Sequence, residues 1–265
     1  MKAIHIADPL LINPTNPINV NLIGAGGTGS HMVMALAKIH ASLMALGHPG
    51  LHVHLYDDDM VTEFNKGRQL FADAEVGLHK SVALINRVNR FWGANWKAVT
   101  RKYKFVDLDK LPNGGKANIF VTCVDNVPAR FDVAEALKHL AKENRHDRDR
   151  PLYWLDCGNT QLTGQAILGT VIPVKQPQLE QYRTVETLPM VTDEFGELLR
   201  AADTGEDTPS CSAAEALEKQ DLFINPTLAN EAASLLWKLL KDHNLFYRGL
   251  FKNMEDYRTE GIKVG

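Results

Sequence analysis

Apolar positions follow two periods along most of the chain, and the two alternate. "INVNLIG" (18–24) is a short, mostly apolar run and reads as a buried strand. A glycine turn follows, and "SHMVMALAKIHASLMALG" (30–47) reads as an apolar helix. "LHVHLYDDD" (51–59) alternates with period two and ends in acid, as a second strand would. The same reasoning gives a helix at "HKSVALINRVNRFW" (79–92) and strands at "KAVTRKYKF" (97–105) and "ANIFVTCVDN" (117–126). An amphipathic helix is predicted at "VPARFDVAEALKHLAKEN" (127–144), then strands at "PLYWLDCGN" (151–159) and "GQAILGTVIPV" (164–174). This alternation predicts an α/β fold: a Rossmann-like, doubly wound, mostly parallel sheet, with antiparallel strands and helices toward the C-terminal end.

Four stretches depart from the pattern. Prolines at 9, 14 and 17 make residues 1–17 read as a loose or extended N-terminal arm. "RHDRDR" (145–150) reads as a solvated charged connection. Residues 175–210 are polar, carry prolines and acids and show no period, which reads as a long crossover loop of the kind that is usually functional. The tail from residue 244 mixes aromatics with charges and gives no clear assignment. Between the last two, "SAAEALEKQ" (212–220) opens with a capping box, Ser212 and Glu215, and "NPTLANEAASLLWKLLKDH" (225–243) is a strong amphipathic helix with Pro226 near its first turn. No internal repeat is present, so 1–265 is expected to form one domain.

Composition narrows the class. At 45% hydrophobic and 23% charged residues the chain has the make-up of a globular protein with a real core. A net charge of −3 argues against a general nucleic-acid binder, which needs a basic excess to neutralise phosphates. No run is long and apolar enough to span a bilayer and no signal-peptide pattern opens the chain, so a cytoplasmic protein without membrane contact is expected. Cys123, Cys157 and Cys211 stand far apart and form no CxxC pair, so no structural zinc is expected.

The chemistry is concentrated in four places. "GAGGTG" (24–29) is a G-x-G-x-x-G turn between a predicted strand and a predicted helix. Gly24 allows the tight turn, Gly26 and Gly27 let backbone approach a phosphate, and Gly29 permits close helix–strand packing. By itself the turn serves NAD, FAD or ATP equally well. Asp57 stands at the end of the second strand, where an acid holds ribose hydroxyls. Just beyond it, Asp59, Asn65, Arg68 and Gln69 form a dense polar set. Hydride transfer gives no reason for that set, whereas phosphoryl chemistry uses arginine forks and neutral amides. Lys80 opens the next helix as a compact positive charge. Asp125 and Asn126 end an apolar strand at the expected ligand crevice, where Asp125 can hold Mg²⁺ beside phosphates and Asp125 or Asn126 can cap the following helix, two roles that can coexist.

Taken in order, "GAGGTG", "DDDMVTEFNKGRQ", "GLHK" and "CVDNVPAR" resemble the motifs of the ThiF/MoeB/HesA family, bacterial relatives of ubiquitin-activating enzymes. The resemblance covers about residues 18 to 172. The run "PSCSAAEALEKQDLFINPTLAN" resembles, more narrowly, the ThiF-type member of PRTRC gene systems. The family resemblance implies ATP-dependent adenylation of the C-terminal carboxylate of a small ubiquitin-like, β-grasp or sulfur-carrier-like protein, with release of pyrophosphate. It implies that Asp57 binds ribose, that Asn65, Arg68 and Lys80 hold the triphosphate with Gln69 shaping that site, that Asp125 coordinates Mg²⁺, and that the protein is a homodimer. The chain departs from the family in three ways. No arginine precedes Asn21, where many members carry one that reaches the partner's ATP. The two zinc-binding CxxC pairs of many members are missing. Cys211 is the sole candidate for the crossover-loop cysteine that forms a covalent intermediate in some relatives, but it reads rather as a small residue at a loop–helix junction. Cys123 and Cys157 read as packing residues. A non-catalytic scaffold of the same fold and, at lower weight, an NAD(P)-dependent oxidoreductase are the alternatives.

Overall fold

A computed structural model of the chain describes residues 1–66, 68–143, 147–202 and 220–265. Two sheets are present among these residues. The larger has eight strands, and five of them are parallel: β2 (Ile18–Ile23), β3 (Leu51–Tyr56), β4 (Lys97–Val99), β5 (Ile119–Thr122) and β6 (Tyr153–Asn159). The remaining three, β7 (Thr163–Thr170), β10 (Tyr247–Asn253) and β11 (Arg258–Lys263), add antiparallel at one side, giving the order β11-β10-β7-β6-β5-β2-β3-β4. β2 lies between β3 and β5, so the chain moves outward first to one side of it and then to the other. That reversal opens a crevice above the carboxyl ends of these strands.

The helices explain the apolar patterns. α2 (Gly27–Ala45) is apolar almost all round because α7 (Ile224–Lys241) covers it from outside. Small residues such as Ala35, Ala37, Ala229 and Ala232 lie in that buried layer and let the two backbones approach. α3 (Lys80–Trp92) turns Ala83, Leu84, Ile85 and Val88 inward. On the opposite face α4 (Val127–Glu143) buries Val133, Ala136, Leu137 and Leu140 against Phe120 and Trp154. No helix among the described residues is long and apolar enough to cross a membrane.

Several expectations are corrected. Of the two readings of the N-terminal arm, loose or extended, the structure has the extended one at its start. Residues Lys2–Ile6 form β1, paired in parallel with β8 (Tyr182–Thr184) and antiparallel with β9 (Asn244–Leu245). His5 anchors it, one ring nitrogen 2.7 Å from the Val185 carbonyl and the other 2.8 Å from the Tyr153 hydroxyl. Pro9 opens the short helix α1 (Pro9–Ile12), capped by Asp8. These partners lie about 150 to 240 positions away in sequence, beyond the reach of a local pattern. The strand expected at 97–105 stops at Val99, and 3-10 turns follow from Phe105. The described part of 175–210 contains β8, α5 (Val191–Glu194) and α6 (Gly196–Ala202), fixed to the core by Leu188, Met190 and Val191. Elements of three to seven residues are too short to display a period. In the charged connection, Asp149 accepts from Asn19 and Asn113, and Arg150 pairs with Asp8, so its described residues buttress the strand ends rather than float in water. The tail supplies β9, β10 and β11. Cys211 and the capping box of Ser212 and Glu215 lie outside the described residues.

Candidate active site

The glycine turn joins β2 to α2. Gly24 has φ +97°, and its N–H donates to the Tyr56 carbonyl at 2.9 Å, so the turn is tied to the end of β3. A Cβ at Gly24 would stand 2.6 Å from the Cys123 carbonyl oxygen, and one at Gly29 would run into the Gly24 carbonyl. Only glycine fits either place. Gly26 is different, since a Cβ there would meet no heavy atom within 4 Å. It faces open space at the head of α2, and no side chain caps that helix. Free N–H groups and the positive end of the helix dipole therefore point into the crevice.

Asp57 follows β3 and is held by backbone donors. One carboxylate oxygen accepts from the Ala25 N–H at 2.6 Å, the other from the Asp59 N–H at 3.0 Å. Burial nevertheless pushes its carboxyl up to about 6, with Lys80 opposing. Lys80 is the first residue of α3 and is itself buried, its ammonium 2.8 Å from Asp59. Asp59 is exposed, so this ion pair meets solvent on the side of Asp59.

Arg68 is half-buried, and its Nη1 donates to Gln220 Oε1 at 2.9 Å. Its Nε is buried without a partner, and burial holds the guanidinium below its usual range while the Asp125 charge opposes. Gln69 is buried and its Oε1 likewise lacks a partner. Both residues border the cleft described below. Asn65 spends its Oδ1 locally, accepting from the Thr62 N–H and hydroxyl, which leaves its amide nitrogen for other contacts.

Asp125 is exposed above the end of β5, and among the described residues its one side-chain bond is from Asn126 Nδ2 at 3.2 Å. Asn126 caps α4, accepting from the Ala129 N–H at 2.9 Å. Capping therefore falls to Asn126 and leaves Asp125 open to the crevice. A buried network beneath fixes this loop. Arg130 Nε contacts both oxygens of Asp156 at 3.2 Å, and its Nη2 donates to the Val124 carbonyl at 2.8 Å. Asp156 also accepts from Thr122, which accepts from the Trp154 indole. The arginine of the "CVDNVPAR" run thus ties α4 and β6 to the residue just before Asp125.

These groups line one cleft of about 1370 Å³. Among the described residues, every predicted site residue except Gly29 borders it. Gly29 serves packing underneath. Sequence reasoning missed Thr28, Asn159, Gln220 and Asn225 at one end and Lys102 and Lys104 at the other. For Asn225 the available signal is a polar residue at the head of an otherwise apolar helix face; for Gln220 there is none. Cys157 is in the core and Cys123 packs against it, as expected. The hydrogen-bonded Cys123 thiol, with burial, pushes Cys157 well above the usual thiol range and leaves it unreactive. Among the described residues no group of three or more His, Cys, Asp or Glu side chains is placed to hold a metal ion. Magnesium on a nucleotide needs less: one or two carboxylates, with phosphate oxygens and water completing the shell. Asp125, single and exposed beside Arg68, fits that requirement.

The sheet order, the glycine turn at the reversal and the cleft above it define a Rossmann-like α/β protein. Within that class, the chain belongs to the ThiF family, whose model matches residues 15–260. Solved structures with the same fold include E. coli MccB with selenomethionyl MccA, 17% identical with a TM-score of 0.57, and E. coli MccB with ATP, 16% identical with a TM-score of 0.55. Both alignments cover 94% of this chain. PaaA is similar at 12% identity and a TM-score of 0.60 over 93% of this chain. In all three the match spans 64% of the other chain, less than two thirds of its length. No curated protein matches the chain significantly.

Proposed function

We propose that the protein uses ATP to adenylate a carboxylate, that of the free C-terminus of a small ubiquitin-like, β-grasp protein, and releases pyrophosphate. The observation that carries this reading is the gathering of Arg68, Lys80 and Asp125 around an uncapped glycine-turn helix in one cleft. Membership of the ThiF family supports it, as does the likeness of the fold to MccB, which has been solved with ATP and with MccA. Asp57 would accept the ribose hydroxyls. Arg68 and Lys80 would meet the phosphate oxygens, with Asn65, Gln69 and Asn126 giving neutral hydrogen bonds. Asp125 would hold Mg²⁺, which when bound supplies further charge neutralisation at the phosphates. In the reaction a carboxylate oxygen bonds to the α-phosphorus, the bond to the bridging oxygen breaks, and pyrophosphate leaves with the electron pair. A carboxylate is already ionised at neutral pH, so no protein base is needed. The protein's contribution is position and positive charge. The proposal further takes 1–265 as one adenylation domain working in the cytoplasm as a homodimer, of the PRTRC type, without zinc.

Product analysis tests this directly. With ATP and a small β-grasp protein that the chain binds, AMP-linked protein and pyrophosphate are expected; ADP and phosphate instead would reject adenylation. Asp57 makes a separate prediction. Its carboxyl titrates near 6 and accepts ribose hydroxyls best when ionised, so affinity rises with pH and levels off above that value. Adenosine, which has no phosphates to titrate in the same window, should bind roughly tenfold more weakly at pH 5 than at pH 7. Asp57→Asn should bind it equally at both.

One observation favours a second reading, a nucleotide- or partner-binding scaffold without catalysis. Lys2, the sole Lys or Arg before Asn21, lies over the Phe246 ring at 3.8 Å and serves the small sheet rather than a phosphate. Whatever replaces the family's N-terminal arginine must come from elsewhere. Nucleotide binding with no adenylated product would select the scaffold.

A further inference from the structure

We propose that Gln220 is a positioning residue for Arg68, anchored by Asn225, and that its being an amide rather than an acid sets the strength with which the cleft holds a triphosphate. The inference rests on the nucleotide-binding reading above. Gln220 Oε1 accepts from two donors, Arg68 Nη1 and Asn225 Nδ2, each at 2.9 Å. Asn225 is 1% exposed and its own Oδ1 accepts from the Thr28 hydroxyl at 2.9 Å. Its amide also fills the space a Cβ on Gly27 would need, 2.6 Å away. A chain of side-chain bonds therefore runs from the arginine, through the head of α7, to the first turn of α2. It joins residues 152 and 197 positions apart in sequence.

Every acceptor in this chain is neutral. No carboxylate hydrogen-bonds to Arg68 among the described residues, and its Nε stays buried without a partner. A half-buried guanidinium held by one neutral oxygen keeps its charge for a ligand, whereas a carboxylate in the same place would form a charge-assisted pair and compete with phosphate. Gln220 fixes the fork without cancelling it. Asn225, locked between Gln220 and Thr28, keeps that oxygen in place relative to the glycine turn. Phosphate-binding backbone and phosphate-binding cation are thereby held in one geometry before any ligand arrives.

The test is equilibrium binding of ATP and of adenosine to the full chain carrying Gln220→Glu, Arg68→Ala or both. Gln220→Glu should weaken ATP by tenfold or more and leave adenosine within twofold, because only the triphosphate needs the guanidinium charge. On the Arg68→Ala background the same substitution should change ATP affinity by less than twofold. Gln220→Met, of similar length but with no acceptor, should weaken ATP several-fold less than Gln220→Glu. Equal loss of ATP and adenosine, or additive effects of Gln220→Glu and Arg68→Ala, would overturn the inference. If the unmodified chain binds ATP and Gln220→Glu leaves that unchanged, the positioning role fails and the nucleotide reading survives. If the unmodified chain binds no ATP, both fall.

Discussion

Replacing Asp125 with alanine is expected to lower the rate of ATP–pyrophosphate exchange by on the order of 10³-fold, the scale seen when a group stabilising transition-state charge is removed. The fold should be unaffected. Asp125 is exposed, makes one long side-chain bond to its neighbour, and does not cap α4, because Asn126 does. Surface changes of that kind alter stability by about 0.5 kcal/mol or less. The thermal midpoint should therefore stay within about 2 °C of the parent. Rate loss without loss of stability is the signature of a group that acts on the ligand. If the variant kept exchange within tenfold of the parent, the proposed magnesium-holding role would be wrong. Asp125→Asn sharpens the result, since it keeps the shape and the local bond but removes the charge.

The largest expected effect on stability lies a few ångströms deeper. Asp156→Leu should destabilise the protein by about 3–5 kcal/mol, the usual consequence of stranding one member of a buried ion pair. Asp156 is fully buried and Arg130 is 5% exposed, so water cannot compensate the guanidinium left behind. The Thr122 hydroxyl would lose its acceptor as well. For a chain of this length the loss corresponds to a fall in thermal midpoint on the order of 10 °C. The double variant Arg130→Met, Asp156→Leu should recover much of it, because an apolar pair leaves no buried charge. Calorimetry on the single and double variants decides the point. A double variant no more stable than Asp156→Leu would show that the pair is needed for something other than mutual neutralisation, such as holding the Val124 carbonyl through Arg130.

Much of this was legible in the sequence, for physical reasons that differ by element. β2, α2 and β3 announce themselves because a buried parallel strand, a helix buried on nearly all sides and a half-buried strand each impose a distinct period. Gly24, Asp57 and Asp125 stand out because each closes a local strand pattern, Arg68 and Lys80 because they lie in the polar runs that follow Asp57, and all five border the cleft. β1 was missed because its partners, β8 and β9, come from the far end of the chain. The assignment of 175–210 as loop failed over its described part because α5 and β8 are shorter than a measurable period. Gln220 escaped for the same reason as β1. Its role exists only where the head of α7 meets Arg68, and no local pattern marks that meeting. That Asn126 rather than Asp125 caps α4 turns on one hydrogen bond, from Ala129 to Asn126, that a sequence cannot display.

The central claim is that this cleft joins a carboxylate to the α-phosphate of ATP. The most direct measurement is exchange of labelled pyrophosphate into ATP by the full chain, with and without Mg²⁺ and with and without a small β-grasp protein that the chain binds. The account predicts that label enters ATP only when both are present, because reversal of the reaction needs the bound acyl-adenylate and the metal together. Failure of label to enter ATP while that small protein is demonstrably bound would contradict it.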